Sequence, residues 1–299
     1  PVAYALVWVA LAAWAHATQH DFAGEAQFAK GDISSSRFAI WSNTLVLIAS
    51  RPWLGVGWGE FNLAWSLTPF PGRPTAFFDH THNLPLQLAV ELGLPLALVV
   101  LALLAAALLR AWRAAARCPD PATARTLRAA FMMVLMMAVH SQFEYPLWYA
   151  YFLLPTALAF GLCLGGEGSG RPAPAAGPTW PLRAGGALLV AGSMLALADY
   201  LRVVAIYAPM ASAPPLAERI AQGKRSWLFG HHADYAEVTT EGMAGDPARA
   251  FARAPHYLLD TRLMTAWARA LDAAGQAEAA RHVAARLREF RNPQSEPFF

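Results

Sequence analysis

Long apolar runs separated by short polar segments dominate this sequence. The chain starts inside one such run, at residues 1–17, and further runs occupy residues 84–109, 127–139, 147–164 and 184–198. A helix needs roughly 20 apolar residues to cross a hydrocarbon core of about 30 Å. The pattern therefore predicts an all-α, polytopic membrane protein with about five spanning helices. Because the first run is short and begins at the first residue, we interpret the chain as the C-terminal part of a longer membrane protein.

Arginine positions predict the orientation of these helices. Arginines crowd the loop between the second and third runs, and Arg171 and Arg183 flank the loop before the last run. By the positive-inside rule, both loops face the cytoplasm. Alternation then places the long loop after the first run, the turn around Glu144 and the chain beyond Tyr207 on the outer side.

Two amphipathic patterns shape the outer segments. Three serines before Arg37 are suited to cap a helix. Apolar residues at helical spacing follow as far as Arg51-Pro52, so we expect an interfacial helix that ends there. Near the C-terminus, two apolar stripes flank Gly275, which predicts an αα-hairpin resembling one tetratricopeptide-like unit. The predicted parts are a truncated membrane helix (1–17), a periplasmic loop with the interfacial helix (18–83), about four membrane helices (84–206) and a periplasmic helical domain (207–299).

Composition supports a membrane protein and argues against a soluble globule. Hydrophobic residues make up 56% of the chain and charged residues 14%, and the 11 tryptophans suit an interfacial aromatic belt. The net charge of +3 is what cytoplasmic loops supply, so we predict membrane lipid and no nucleic acid among the partners. Cys118 lies in a loop and Cys163 in an apolar run, so we expect no structural disulfide.

The most informative polar side chains stand at the mouth of the second apolar run. They are His80 and His82, with Asp79 and Asn83 beside them. Polar groups at a membrane edge cost free energy unless they are solvated or paired. Three interpretations stay open. The segment caps the next helix, its histidines share a metal ion with a third ligand such as Asp79 or Glu144, or a histidine is a general base or hydrogen-bond donor.

Further candidate residues lie on both sides of this segment. Arg37 and Arg51 suit either lipid headgroups or, through a planar guanidinium, a substrate phosphate. Gln87 and Glu91 follow His82 at helical intervals, so they form either a solvated helix end or one wall of a polar cavity. The outer turn adds three candidates, which are His140, Glu144 and Tyr145. The glutamate of this turn either orients a histidine, neutralises an arginine or belongs to a plain hairpin.

Four motifs, in their order and spacing, resemble those of one enzyme superfamily. They are SRFAIW at 36–41, RPWLGVGWGEF at 51–61, DHTHNLPLQ at 79–87 with ELG at 91–93, and HSQFEYPLWY at 140–149. Together they resemble the O-antigen ligase and polymerase (Wzy/WaaL-type) superfamily. Within it, the sequence looks like the PglL-like bacterial protein O-oligosaccharyltransferases.

The resemblance implies a metal-independent glycosyltransferase of the bacterial inner membrane, without a cofactor and with its active site facing the periplasm. Such enzymes move a preassembled glycan from undecaprenyl pyrophosphate to Ser or Thr hydroxyls of a pilin-like protein. Lipid A core, or a growing chain in a polymerase, is the alternative acceptor. A membrane scaffold with a partner-binding helical domain is the alternative of another class.

The resemblance also assigns roles to particular residues. It places the family's essential histidine at His82, with His80 as the second candidate, and the family's outer-loop arginine at Arg37. The proposed chemistry has His82 as general base and Arg37 on the pyrophosphate. The residues expected to contact or orient the substrate are His80, Asn83, Gln87, Glu91, Arg51, Glu144, Tyr145 and His140.

Overall fold

A computed structural model describes residues 37–166, 179–240 and 247–299, and within these ranges the protein is all-α, without strands. The helices in chain order are α1 (Arg37–Ser50), α2 (Phe61–Leu67), α3 (Leu84–Leu92), α4 (Leu94–Arg117), α5 (Pro121–His140), α6 (Ala150–Gly165), α7 (Trp180–Tyr207), α8 (Leu216–Gly223), α9 (Gly230–Thr239), α10 (Pro247–Phe251), α11 (Thr261–Ala273) and α12 (Ala277–Glu289). Short 3₁₀ helices lie at Pro146–Trp148, Ala254–His256 and Pro293–Phe298.

Within the described ranges, three helices are long and apolar enough to cross a membrane, namely α4, α5 and α7. The apolar helix α6 is shorter, with 16 residues. These helices confirm the predicted runs at 127–139, 147–164 and 184–198 as helical. The run at 1–17 lies outside the described residues, as do the serines expected to cap α1. The predicted end of α1 at Arg51-Pro52 is confirmed.

The predicted single helix from residue 84 to residue 109 is wrong, because the chain breaks at Gly93 between α3 and α4. Gly93 has a φ of 77°, in the left-handed region that favours glycine. A Cβ atom there would lie 2.3 Å from the carbonyl oxygen of Trp53, since the outer loop packs against the break. The N–H of Leu94 donates to the carbonyl of Pro52 at 2.8 Å. The membrane helix therefore starts at Leu94, and α3 is a separate short helix.

Helices α4, α5 and α6 pack together through mostly small residues. The buried members of this cluster are Ala111, Ala130, Val134, Ala159 and Cys163. Small side chains let membrane helices approach closely. Outward-facing Leu103, Met136 and Leu158 are exposed, as on a lipid-facing surface. Helix α7 packs against α8 and α9.

A hydrophobic core joins the segment around α1–α3 to the C-terminal helices. Phe61 and Trp65 of α2 are fully buried in the same core as Leu263 of α11 and Phe290 after α12. Helices α11 and α12 pack on each other around the turn at Gly275, which confirms the predicted αα-hairpin. The outer loop and the C-terminal region are therefore packed against each other.

Arg73 is buried in this core and links α2 to α12. Its guanidinium donates to the carboxylate of Glu289 at 2.8 Å and to the carbonyl of Trp65 at 2.6 Å. It also lies 4.6 Å from the ring centroid of Phe290 and 5.0 Å from that of Phe70. Burial lowers the pKa of Arg73, yet a guanidinium keeps its charge in proteins. These contacts give Arg73 a structural role.

Candidate active site

The candidate site forms where three distant segments meet at one end of the membrane helices. They are the first residue of α1, the loop before α3 and the turn after α5. The N–H of Leu84 donates to the carbonyl of Ser141 at 2.8 Å, and the side-chain amide of Asn83 donates to the carbonyl of Gln142 at 3.0 Å. These bonds fix the histidine loop against the turn that carries Glu144.

Glu144 contacts both a histidine and an arginine. One of its carboxylate oxygens pairs with the guanidinium of Arg37, and the other lies 2.9 Å from Nδ1 of His82. The Nε–H of Arg37 donates to the carbonyl of Phe143 at 3.2 Å. The structure thus brings together His82, Arg37 and Glu144, which lie far apart in sequence. We call these three residues the active-site cluster.

The contact with Glu144 sets the orientation of the His82 ring. A carboxylate beside Nδ1 favours a proton on that nitrogen, which leaves Nε2 able to accept one. The ring also meets Tyr145 edge to face at 5.0 Å between centroids, and Phe78 at 6.0 Å. His82 has a φ of 55°, which is uncommon for a residue other than glycine. Strained backbone of this kind concentrates at functional sites.

Glu144 is kept ionised by its two partners. Partial burial raises the pKa of this carboxyl, but the hydrogen bond from His82 and the positive charge of Arg37 outweigh it. The pKa therefore lies below its ordinary value, and the carboxylate stays ionised at neutral pH. The site thus keeps a fixed negative charge between two groups that carry or can take up protons.

A chain of hydrogen bonds supports the histidine loop from within. The N–H of Thr81 donates to the side-chain oxygen of Gln87 at 2.8 Å, and the amide of Gln87 donates to Glu91 at 3.0 Å. Asn83 caps α3 by accepting from the N–H of Leu86 at 3.0 Å. Gln87 and Glu91 are buried, and burial raises the pKa of Glu91. Asn83, which precedes α3, and Gln87 therefore hold the loop in place, and Glu91 bonds Gln87 in turn.

His80 occupies a different environment from His82. Its ring stacks on Tyr145 at 4.3 Å between centroids and meets Trp148 edge to face at 4.9 Å. Its Nδ1 lies 3.0 Å from a carboxylate oxygen of Asp79. A hydrogen bond with Tyr149, together with burial and the charge of Asp79, raises the pKa of Tyr145 to about 12. The neutral phenol of Tyr145 therefore separates the two histidine rings.

Arg51 lies apart from the active-site cluster, whereas His140 contacts it through its backbone carbonyl, which accepts from the N–H of Glu144 at 3.0 Å. Arg51 follows the last residue of α1, so the length of that helix, about 20 Å, separates it from Arg37. The ring of His140 faces Phe152 at 6.1 Å between centroids. His80 and His82, the two histidines considered for a shared metal ion, contact different carboxylates, those of Asp79 and Glu144. In the part of the chain that the structure describes, no group of three or more His, Cys, Asp or Glu side chains is placed to hold a metal ion.

Sequence reasoning missed the role of Trp41. Its indole N–H donates to the carbonyl of Thr81 at 3.0 Å, which pins the residue next to His82. A tryptophan on an apolar helix face carries one donor that needs a partner when buried. That rule signals a polar contact for Trp41, but it does not identify the acceptor.

The fold and the active-site cluster define an all-α membrane protein with a histidine–glutamate–arginine site at one helix end. Residues 128–296 match the family described as virulence factor membrane-bound polymerase, C-terminal, and residues 2–101 match the O-antigen ligase family. The chain belongs to the virulence factor membrane-bound polymerase family. The resemblance to the Wzy/WaaL-type superfamily is thereby confirmed.

Two curated relatives come from Acinetobacter baylyi. The chain is 33% identical over 129 residues to a general O-oligosaccharyltransferase, covering 42% of this chain and 21% of the relative. It is 29% identical over 130 residues to a ComP-specific O-oligosaccharyltransferase, covering 43% of this chain and 22% of the relative. The aligned part thus spans about a fifth of each relative. No solved structure matches the chain.

Proposed function

We propose that this chain carries the active site of a glycosyltransferase that moves a preassembled glycan from undecaprenyl pyrophosphate to a hydroxyl of an acceptor. The observation that carries the proposal is the single carboxylate of Glu144, which contacts both His82 and Arg37. It joins a group able to accept a proton to a group able to bind a diphosphate. Transfer from a diphosphate-linked sugar to a hydroxyl needs both.

His82 acts as the general base. Its Nε2 accepts the proton of the acceptor hydroxyl while the hydroxyl oxygen attacks the anomeric carbon of the glycan. Glu144, bonded to Nδ1, keeps the tautomer that leaves Nε2 unprotonated and stabilises the imidazolium that forms. Glu144 is therefore a positioning residue, since it acts through His82.

Arg37 stabilises the leaving group. As the new bond to the anomeric carbon forms, the bond from that carbon to the pyrophosphate oxygen breaks and its electron pair leaves with the undecaprenyl pyrophosphate. A guanidinium has five N–H donors, of which two bonds are seen here, to Phe143 and Glu144. The remaining donors of this partly exposed side chain are suited to bidentate contact with phosphate oxygens.

The names of the relatives favour a protein acceptor. Both are called O-oligosaccharyltransferases, and one is specific for ComP. We therefore propose Ser or Thr hydroxyls of a pilin-like protein as acceptors, at the periplasmic face of a bacterial inner membrane. The O-antigen ligase match keeps lipid A core as the second candidate acceptor.

The test supplies the intact purified protein with glycan-pyrophosphate lipid and either pilin or lipid A core. The acceptor that gains glycan identifies the subclass. We expect His82→Ala to lower the transfer rate by about 10²–10⁴-fold, the usual contribution of a general base. His282→Ala is the matched control: this exposed residue of α12 lies outside the active-site cluster, with Nε2 2.9 Å from the carbonyl of Leu67, and the variant should retain the rate. Full transfer by His82→Ala would refute the base assignment, and no transfer to either acceptor would favour the scaffold.

A further inference from the structure

Two loops present large apolar side chains to the surroundings of the protein. Trp53, Leu54 and Trp58 follow α1 and are 75%, 84% and 67% exposed. Trp227 and Leu228 lie between α8 and α9 and are 82% and 53% exposed. We call these five residues the aromatic rim. Exposed apolar surface of this kind marks a contact with a partner or a membrane.

The first loop of the aromatic rim is fixed at the start of a spanning helix. Besides the bond from Leu94 to Pro52, the N–H of Val56 donates to the carbonyl of Val90 at 2.8 Å. The close approach of Trp53 to Gly93 leaves no room for a side chain at the break. This loop therefore stays level with the first residue of α4.

The second loop is fixed to the side of another spanning helix. Asp199 of α7 accepts from the hydroxyl of Ser226 at 2.6 Å and from the N–H of Leu228 at 2.9 Å. Asp199 and Ser226 are both buried. Trp227 is therefore held level with Asp199.

The spacing of charges along these two helices locates the hydrocarbon boundary. On α4, the uncharged stretch from Leu94 to Arg110 spans 16 residues, or about 24 Å at 1.5 Å per residue. On α7, Arg183 and Asp199 are also 16 residues apart, again about 24 Å. Since a hydrocarbon core is about 30 Å thick, each stretch nearly spans it. We take each of the helices α4 to α7 to cross the membrane in turn, so they alternate in direction and Leu94 and Asp199 mark the same membrane side.

We propose that the aromatic rim is embedded in the boundary between headgroups and hydrocarbon of a phospholipid bilayer, on the side that bears the active-site cluster. Tryptophan favours this boundary, because its large ring is apolar and its N–H remains hydrated. Exposed Arg51 and Arg225 stand next to the two loops, where a guanidinium reaches lipid phosphates. The rim thereby supports the outer region at two separate points on the membrane.

The test measures the membrane depth of spin labels in the intact protein, reconstituted in liposomes of phosphatidylethanolamine and phosphatidylglycerol. Labels are attached at Leu54→Cys and Trp227→Cys after Cys118→Ser and Cys163→Ala remove the native thiols. The control label is at Gln276→Cys, an exposed position in the turn between α11 and α12. Collisions with oxygen, which dissolves in lipid, are compared with collisions with a water-soluble nickel chelate.

We expect the labels at positions 54 and 227 to lose most of the nickel broadening seen at position 276 and to gain oxygen broadening. Nickel broadening at both sites equal to that at position 276 would overturn the proposal. Since only protein and lipid are present, a missing protein partner would produce that same refuting result. Labels at Trp58→Cys and Leu228→Cys repeat the measurement, so that one poorly folded variant does not decide it. The readout is independent of glycan transfer, so it tests the rim separately from the proposed function.

Discussion

Arg37 and Arg73 both pair with a glutamate, yet they lie in two regions with opposite properties. Arg73 is almost fully buried between Glu289 and aromatic rings, and its donors are taken up by the protein. Arg37 is partly exposed, and its partner Glu144 also contacts His82. A buried and fully paired arginine is costly to remove because buried partners are left without it, whereas partial exposure leaves donors for a ligand. The comparison indicates that surroundings separate an arginine whose donors are all used within the protein from one that has donors left for a ligand.

The largest expected effect comes from removing the buried arginine. Arg73→Ala leaves the carbonyls of Trp65 and Thr68 without their donor and takes one of two arginines from Glu289, which still pairs with Arg286. It should lower the free energy of unfolding by about 3–5 kcal/mol. Arg37→Ala, at a more exposed pair, should change it by about 1 kcal/mol or less. Thermal unfolding of both variants in detergent measures the difference. Equal destabilisation by the two changes would contradict the assignment of a larger structural role to Arg73 than to Arg37.

The next largest effect is on the transfer rate, for which the glutamate partners of Arg37 and Arg73 are compared. Glu144→Gln keeps the shape of the side chain but removes the charge that favours the productive tautomer of His82. We expect a fall in transfer rate of about 10²-fold, comparable to losing one stabilising group in an active site. Glu289→Gln is the matched control and should reduce stability while the folded enzyme retains its rate per molecule. A rate unchanged by Glu144→Gln would contradict the positioning role.

Two glycines with similar positive φ angles test whether close packing adds to the cost of a substitution. Gly93→Ala combines a positive φ with a clash against Trp53, so we expect a loss of about 1–3 kcal/mol in unfolding free energy. Gly275→Ala has the same kind of φ, but nothing lies within 4 Å of an added Cβ. It should cost only the backbone strain, at the lower end of that range, about 1 kcal/mol. Chemical unfolding of both variants measures this, and a larger loss at Gly275 would contradict the packing described at Gly93.

The smallest expected effect is the pH dependence of the stability that the pairs of Glu144 with Arg37 and His82 contribute. Because the folded pKa of Glu144 lies below its ordinary value, ionisation of this group stabilises the fold above the ordinary value of about 4.3. This contribution is lost as the pH falls through the lowered pKa. Glu144 is partly exposed, so screening limits it to a few tenths of a kcal/mol. The stability difference between the native protein and Glu144→Gln should shrink in acid, and a difference that grows there would contradict the sign.

Much of the helical framework was predictable because apolar length alone determines which segments can cross a bilayer. The break at Gly93 does not show in the apolar pattern, because the residues on both sides of it are apolar. Its sequence signals are Gly93 itself and Pro95, which has no N–H to continue the helix. The close packing of Trp53, 40 positions earlier, against the break could not be predicted from hydropathy. The αα-hairpin was predictable from its stripes, but its packing against α2 was not.

The candidate site was likewise predictable from the sequence only in part. His82, Arg37 and Glu144 were named from residue type and motif, but their meeting depends on backbone contacts between the histidine loop and the turn after α5. Arg37 and Arg51 offered the same two interpretations, and only the length of α1 separates them. Gln87 and Glu91 share a polar helix face for which the sequence offered a solvated helix end or a cavity wall; both side chains are buried and bonded to each other.

The core shared by α2 and the C-terminal hairpin has a consequence for biosynthesis. Phe61 and Trp65 leave the ribosome about 200 residues before Leu263 and Phe290, which belong to the same hydrophobic core. Chains emerge at roughly 5–20 residues per second, so this apolar surface stays exposed for tens of seconds before the C-terminal helices are synthesised. The segment that carries His82 is therefore completed last, after the final helices are made, and a nascent chain truncated before α11 would leave it exposed to aggregation or proteolysis.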